Sequence, residues 1–237
     1  MSMIFPACLS IWAQFFINIP ERDFSSSDWS ISHEHRDDTV TPFWLTIVGL
    51  LLWICSILVV FYIKNDLSQK KNIINLVTSI FAGLVFNTAL TNVIKHFAGR
   101  LRPDFLARCI PINSGNPLRP KCSNTDTTLV KNGRLSFPSG HSSTAAFFGF
   151  GLTYFFFYEL DLRKNLTFGN INTVFLPTLI AIVVGVTRST DYRHHPTDIV
   201  AGLVLGAIVS FFTFLVYYFE RRKDEEHSPK LNYPMEV

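Results

Sequence analysis

Residues 171–219 read INTVFLPTLIAIVVGVTRSTDYRHHPTDIVAGLVLGAIVSFFTFLVYYF. The first 17 positions and the last 21 contain no Asp, Glu, Lys or Arg, whereas the link 188–198 holds Arg188, Asp191, Arg193, His194, His195 and Asp198. About 20 apolar residues carry a helix across a hydrocarbon layer about 30 Å thick. The stretch is therefore read as two membrane helices joined by a charged turn at the membrane edge.

Four further runs lack charge: 1–20, 42–63, 72–94 and 142–158. They are continuously apolar, not alternating, which excludes a membrane β-barrel. The expected fold is all-α and polytopic, with six transmembrane helices in one membrane-embedded domain spanning 1–237. Its core covers about 40–220, and a polar tail occupies 224–237. The run 1–20 has neither a basic start nor a small-residue cleavage site, so it is read as a helix, not a signal peptide. The Phe-rich face of 142–158, with Phe147, Phe148, Phe155, Phe156 and Phe157, is read as lipid contact in preference to a lining for lipid tails.

Only 16% of residues are charged, against about 25% in soluble proteins. The net charge of +3 is too small for a nucleic-acid partner. Lys64, Lys70 and Lys71, Arg163 and Lys164, and Arg221, Arg222 and Lys223 follow the second, fourth and sixth runs. The positive-inside rule places these, and both termini, in the cytoplasm. The basic loop 95–134 opposes that vote, but its cations have a chemical reading. The sequon at Asn165 falls on the cytoplasmic side and is expected to stay unglycosylated. Cys109 and Cys122 share the long loop. They would be bonded on an oxidising face and free thiols on a reducing one. Cys8 and Cys55 lie in apolar runs as small packing residues.

Three polar clusters border the runs. Lys95 and Arg102 are seven residues apart, which on a continuing helix would put both cations on one face, where they can hold phosphate oxygens. Pro138, Ser139, Gly140 and His141 precede an apolar helix: Ser139 can cap it, Gly140 lets backbone approach an anion, and His141 can donate a proton. His194 and Asp198 stand at i and i+4, so the acid can bond one ring nitrogen and leave the other free to attack. Arg188 adds a phosphate contact. Arg100 and His96 read as interfacial anchors, and Asp191, Arg193 and His195 as structural or rim residues. Counting spans puts all three clusters on one side of the membrane. Lys95, Arg102 and Arg188 would attract an oxyanion and repel a divalent ion, so no metal or other cofactor is expected.

These residues match K-x6-R-P, P-S-G-H and S-R-x5-H-x3-D, and the chain resembles the type 2 phosphatidic acid phosphatase superfamily. Thr187 replaces the usual Ser of the third motif. The stretch 99–109 further resembles fungal and animal lipid phosphatases, including diacylglycerol pyrophosphate phosphatases. The resemblance implies a magnesium-independent hydrolase acting on lipid phosphates such as phosphatidate, lysophosphatidate or diacylglycerol pyrophosphate. It implies His194 as nucleophile through a phosphohistidine, His141 as acid and Asp198 as orienting group. Lys95, Arg102, Ser139, Gly140 and Arg188 would bind phosphate, and the positive-inside reading puts them on the lumenal or extracytoplasmic face. A polyprenyl pyrophosphate phosphatase is a second reading, and a non-catalytic transporter or binding protein on the same fold a third.

Overall fold

The 22 residues Pro42–Ile63 contain no charge and begin with a proline, whose missing N–H costs nothing at a helix start. They form α1 in a computed structural model that describes residues 17–63, 70–112, 115–116, 120–160 and 167–227. Helix α2 (Lys70–Ala98) follows. At 1.5 Å per residue its 29 residues reach about 43 Å, beyond the hydrocarbon layer. Lys95, near its end, therefore stands at the membrane edge. The outer loop holds two short helices, α3 (Phe105–Cys109) and α4 (Thr127–Asn132). Between them lies an antiparallel pair, β1 (Pro111–Ile112) and β2 (Lys121–Cys122), with Pro111 opposite Cys122. Helices α5 (Gly140–Glu159), α6 (Phe168–Thr190) and α7 (Pro196–His227) complete the bundle.

Among the described residues, four helices are long and apolar enough to cross a membrane: α1, α2, α6 and α7. The protein is an all-α membrane protein. The expected run 142–158 became α5, which has the length but a less apolar composition. It is the central helix, packed against α1, α2, α6 and α7, with twelve residues buried. Of the run 1–20, residues 1–16 lie outside the described residues, and 17–20 have no regular structure. Asn165 and the tail from 228 also lie outside them.

Phe147, Phe148 and Phe155 are buried in the core with Trp53, Leu76 and Tyr217, which corrects their reading as lipid contacts. Phe157 is exposed. A Cβ on Gly202 or Gly206 of α7 would run into the backbone carbonyl oxygens of Ser139 and Ser143. Small residues thus let α7 pack directly on the start of α5. That contact joins the second and third polar clusters. At the other end of the bundle, Arg221 of α7 pairs with buried Glu159 of α5.

Candidate active site

The three polar clusters meet at one end of the bundle. Lys95 comes from the end of α2, Gly140 and His141 from the start of α5, and His194 from the turn between α6 and α7. With Arg102, these residues line one cavity of about 440 Å³. A larger groove of about 1260 Å³ adjoins it across Lys95 and Arg102, bordered by Lys131 and Arg134.

Lys95 and Arg102 reach the cavity differently from the expected shared helix face. Helix α2 stops at Ala98, and Gly99 takes a φ of 54°, with its N–H donating to the Lys95 carbonyl at 3.1 Å. Arg102 lies in the following turn, held by its own N–H to the Gly133 carbonyl at 2.8 Å. Burial, with Arg108 nearby, lowers Arg102 to about 10, so it remains a cation at neutral pH. The Nε atoms of Arg102 and Arg193 are buried without a hydrogen-bonded acceptor. Arg193 Nε does lie 3.0 Å from Asp38 Oδ1, but off the hydrogen-bond direction. Both arginines line the cavity. Unpartnered buried donors are costly, and an oxyanion would satisfy them.

His194 is 2% exposed. Its Nδ1–H donates to the Ser136 carbonyl at 2.7 Å, which fixes the tautomer and leaves the Nε2 lone pair free. Asp198 does not make the expected bond to this ring: its Oδ2 is 3.9 Å from Nδ1. The carboxylate instead accepts from the Ser136 hydroxyl at 2.6 Å, the His195 N–H at 3.0 Å and Arg100 Nη1 at 2.7 Å. Asp198 therefore reaches His194 through Ser136. Burial, together with Arg102 and Lys95, holds the His194 imidazole well below its ordinary value of 6.5, so it is neutral at physiological pH.

Three expected phosphate or orienting residues stand behind the wall: Ser139, Arg188 and Asp198 are each 0% exposed, and none lines the cavity. Ser139 caps α5. Its Oγ accepts from the Ser142 N–H at 3.3 Å, and its own N–H donates to the Asp198 carbonyl at 2.9 Å. Arg188 donates to Asp38 at 2.9 Å, to Asp191 at 2.6 Å and to Thr187 Oγ1 at 3.1 and 3.2 Å. Its Nη1 also lies 3.5 Å from His141 Nε2. Thr187, at the position of the usual Ser, thus keeps a hydroxyl contact to the arginine.

Sequence reading missed Ser136 and Asp38 and assigned Arg100 and Arg193 to minor roles. Nothing local marks Asp38, and Arg100 resembles any interfacial cation. Cys109 and Cys122 are bonded, which ties the outer loop between α3 and β2. Arg108 also borders the cavity, but both edges of its guanidinium are engaged by buried Asp104, at 2.9 and 2.7 Å.

No solved structure matches the chain. Among characterised sequences it is 33% identical over 207 residues to diacylglycerol pyrophosphate phosphatase 1 of Saccharomyces cerevisiae, covering 82% of this chain and 70% of that protein. It is 32% identical over 197 residues to probable lipid phosphate phosphatase 4 of Arabidopsis thaliana, covering 77% and 59%. Phospholipid phosphatase 2 of Bos taurus is 29% identical over 238 residues, covering 91% and 80%. The chain thus spans about three fifths of the Arabidopsis protein's length. Residues 76–222, well over half the chain and including all three polar clusters, match the family model described as PAP2 superfamily. The chain belongs to the PAP2 superfamily.

Proposed function

We propose that the protein is a membrane-embedded lipid phosphatase that hydrolyses phosphate monoesters or pyrophosphates of lipids such as phosphatidate and diacylglycerol pyrophosphate. The observation that carries this reading is the cavity wall. A neutral imidazole with a fixed tautomer faces the same space as Lys95, Arg102 and Arg193, and the buried Arg102 Nε has no acceptor. His194 Nε2 attacks phosphorus. The bond from phosphorus to the lipid oxygen breaks as His141, which takes up a proton when the anionic phosphate is bound, donates it to that oxygen. Water then attacks the phosphohistidine, His141 takes the water proton, and inorganic phosphate leaves. Lys95, Arg102 and the Gly140 N–H hold the phosphoryl oxygens, and their hold strengthens as charge develops. Ser139, Arg188 and Asp198 support this site from the layer behind. The cationic lining suits an oxyanion without magnesium.

Six spans with the site on an extracytoplasmic face complete the proposal. The Cys109–Cys122 bond, favoured by an oxidising compartment, supports that orientation. The named relatives support the substrate class. The test is phosphate release from phosphatidate and diacylglycerol pyrophosphate in detergent micelles, with EDTA present. Wild type should turn over, and His194→Ala should fall to background. Retained activity in the variant removes His194 as nucleophile, and a strict magnesium requirement ends the metal-independent reading.

A further inference from the structure

Arg188 is fully buried, and the wall in front of it is a carboxylate. Asp38 lines the cavity, and its Oδ1 is 2.9 Å from Arg188 Nη1 and 3.0 Å from Arg193 Nε. The segment that brings Asp38 there is firmly attached. The His33 N–H donates to the Pro103 carbonyl at 3.0 Å, and the His33 ring stacks on Tyr192 at 4.4 Å. His35 bonds Asp104 at 2.7 Å. Thr39 donates to Asp191 through its N–H at 2.9 Å and its hydroxyl at 2.6 Å. Asp38 is thus a fixed negative charge on the wall of a cationic cavity.

Asp38 holds Arg188 Nη1 at the cavity side, so a phosphoryl oxygen that bonds this nitrogen competes with the carboxylate. One that stays on Lys95, Arg102 and Arg193 remains next to Asp38 and is repelled by it. In both cases the carboxylate weakens the grip on phosphate. Resting on the phosphatase reading, we infer that Asp38 sets the affinity of this site. It competes with the phosphoryl group for Arg188 and Arg193 and keeps inorganic phosphate, the product, loosely held. No motif covers this residue, which enters from the segment before α1.

The test is titration of the purified full chain in detergent micelles with inorganic phosphate, read by calorimetry, beside turnover of phosphatidate. Asp38→Asn keeps the shape and removes the charge. It should bind phosphate about tenfold tighter or more, as expected for removing one like charge at close range. The KM for phosphatidate should fall in parallel. Asp38→Ser should behave the same way, and Asp38→Glu should stay near wild type. If Asp38 merely braces Arg188, the sign reverses: Asp38→Asn and Asp38→Ser would bind phosphate no better than wild type, or worse, and the inference is overturned. If wild type hydrolyses no lipid phosphate yet the neutral variants bind phosphate more tightly, the substrate reading falls and the role of Asp38 stands. If no form binds phosphate while wild type turns over phosphatidate, the role of Asp38 falls and the substrate reading stands.

Discussion

Asp198→Asn separates two ways in which an acid can assist His194. The sequence pattern suggests that Asp198 bonds the ring directly and sets its tautomer. In the structure the Ser136 carbonyl does that, and Asp198 Oδ2 stands 3.9 Å from Nδ1. What the carboxylate supplies is charge. Two unit charges at that separation interact by about 4 kcal/mol at an effective dielectric constant of about 20. On the proposed mechanism, in which the ring becomes a cationic phosphohistidine, that would be worth up to about a thousandfold in rate. Arg100 opposes this from the other carboxylate oxygen, at 2.7 Å, although it is 35% exposed and partly screened by water. Asp198→Asn removes the anion and leaves the cation behind. It should lower kcat about a hundredfold to a thousandfold, with the ring still correctly oriented. Adding Arg100→Gln removes the stranded cation and should return about tenfold of that loss. Phosphate release in micelles gives the rates, and thermal unfolding of each variant shows that the fold is retained. A single variant with more than a tenth of wild-type kcat, or a double variant no faster than the single, would refute the electrostatic account.

Two further outcomes follow from the packing and the charges. Because the His194 pKa lies below 6.5, the unfolded chain takes up a proton that the native one refuses. His194 therefore adds no penalty above pH 6.5, and stability is lost as pH falls below it. The melting midpoint of wild type should drop relative to His194→Gln between pH 6.5 and more acidic values, and an unchanged difference would sink this assignment. Gly202→Ala puts a methyl group against the Ser139 carbonyl. It should cost about 1–3 kcal/mol of stability and, by moving His141 relative to His194, about a hundredfold in turnover. Gly169→Ala meets nothing within 4 Å and serves as the neutral comparison. Equal midpoints and rates for the two variants would mean that the α5–α7 contact does not position the site.

The five apolar runs from residue 42 onward made their helices legible, because a charge-free stretch of membrane length has few other solutions. Span parity then placed the clusters at one end, as found. The central position of α5 was not legible. A Phe against lipid and a Phe against another helix leave the same apolar trace. Phe147, Phe148 and Phe155 show their places only once the neighbouring helices pack on α5 and bury them with Trp53, Leu76 and Tyr217. Asp38 and Ser136 were invisible for a different reason. Their roles depend on where a non-local loop returns, and no local pattern encodes that path.

The two geometric expectations that changed both assumed an unbroken helix. Lys95 and Arg102 share a helical face only if α2 continues past Gly99, yet a glycine four residues before a proline is a stop signal. His194 and Asp198 face each other as i and i+4 only if both are helical, yet Pro196 is the first residue of α7 and leaves His194 outside. That boundary explains what Asp198 does instead. With His195 at the cap, Asp198 is the third helical residue, and its carboxylate accepts the His195 N–H at 3.0 Å, the acidic half of a capping box. The acid that starts the helix also collects Ser136 and Arg100. Through Ser136, the start of α7 is tied to the carbonyl that aims His194. One buried carboxylate thus caps the helix and places a negative charge beside an imidazole that the Ser136 carbonyl orients. For that reason its effect on the reaction should be read from rates and stability measured side by side.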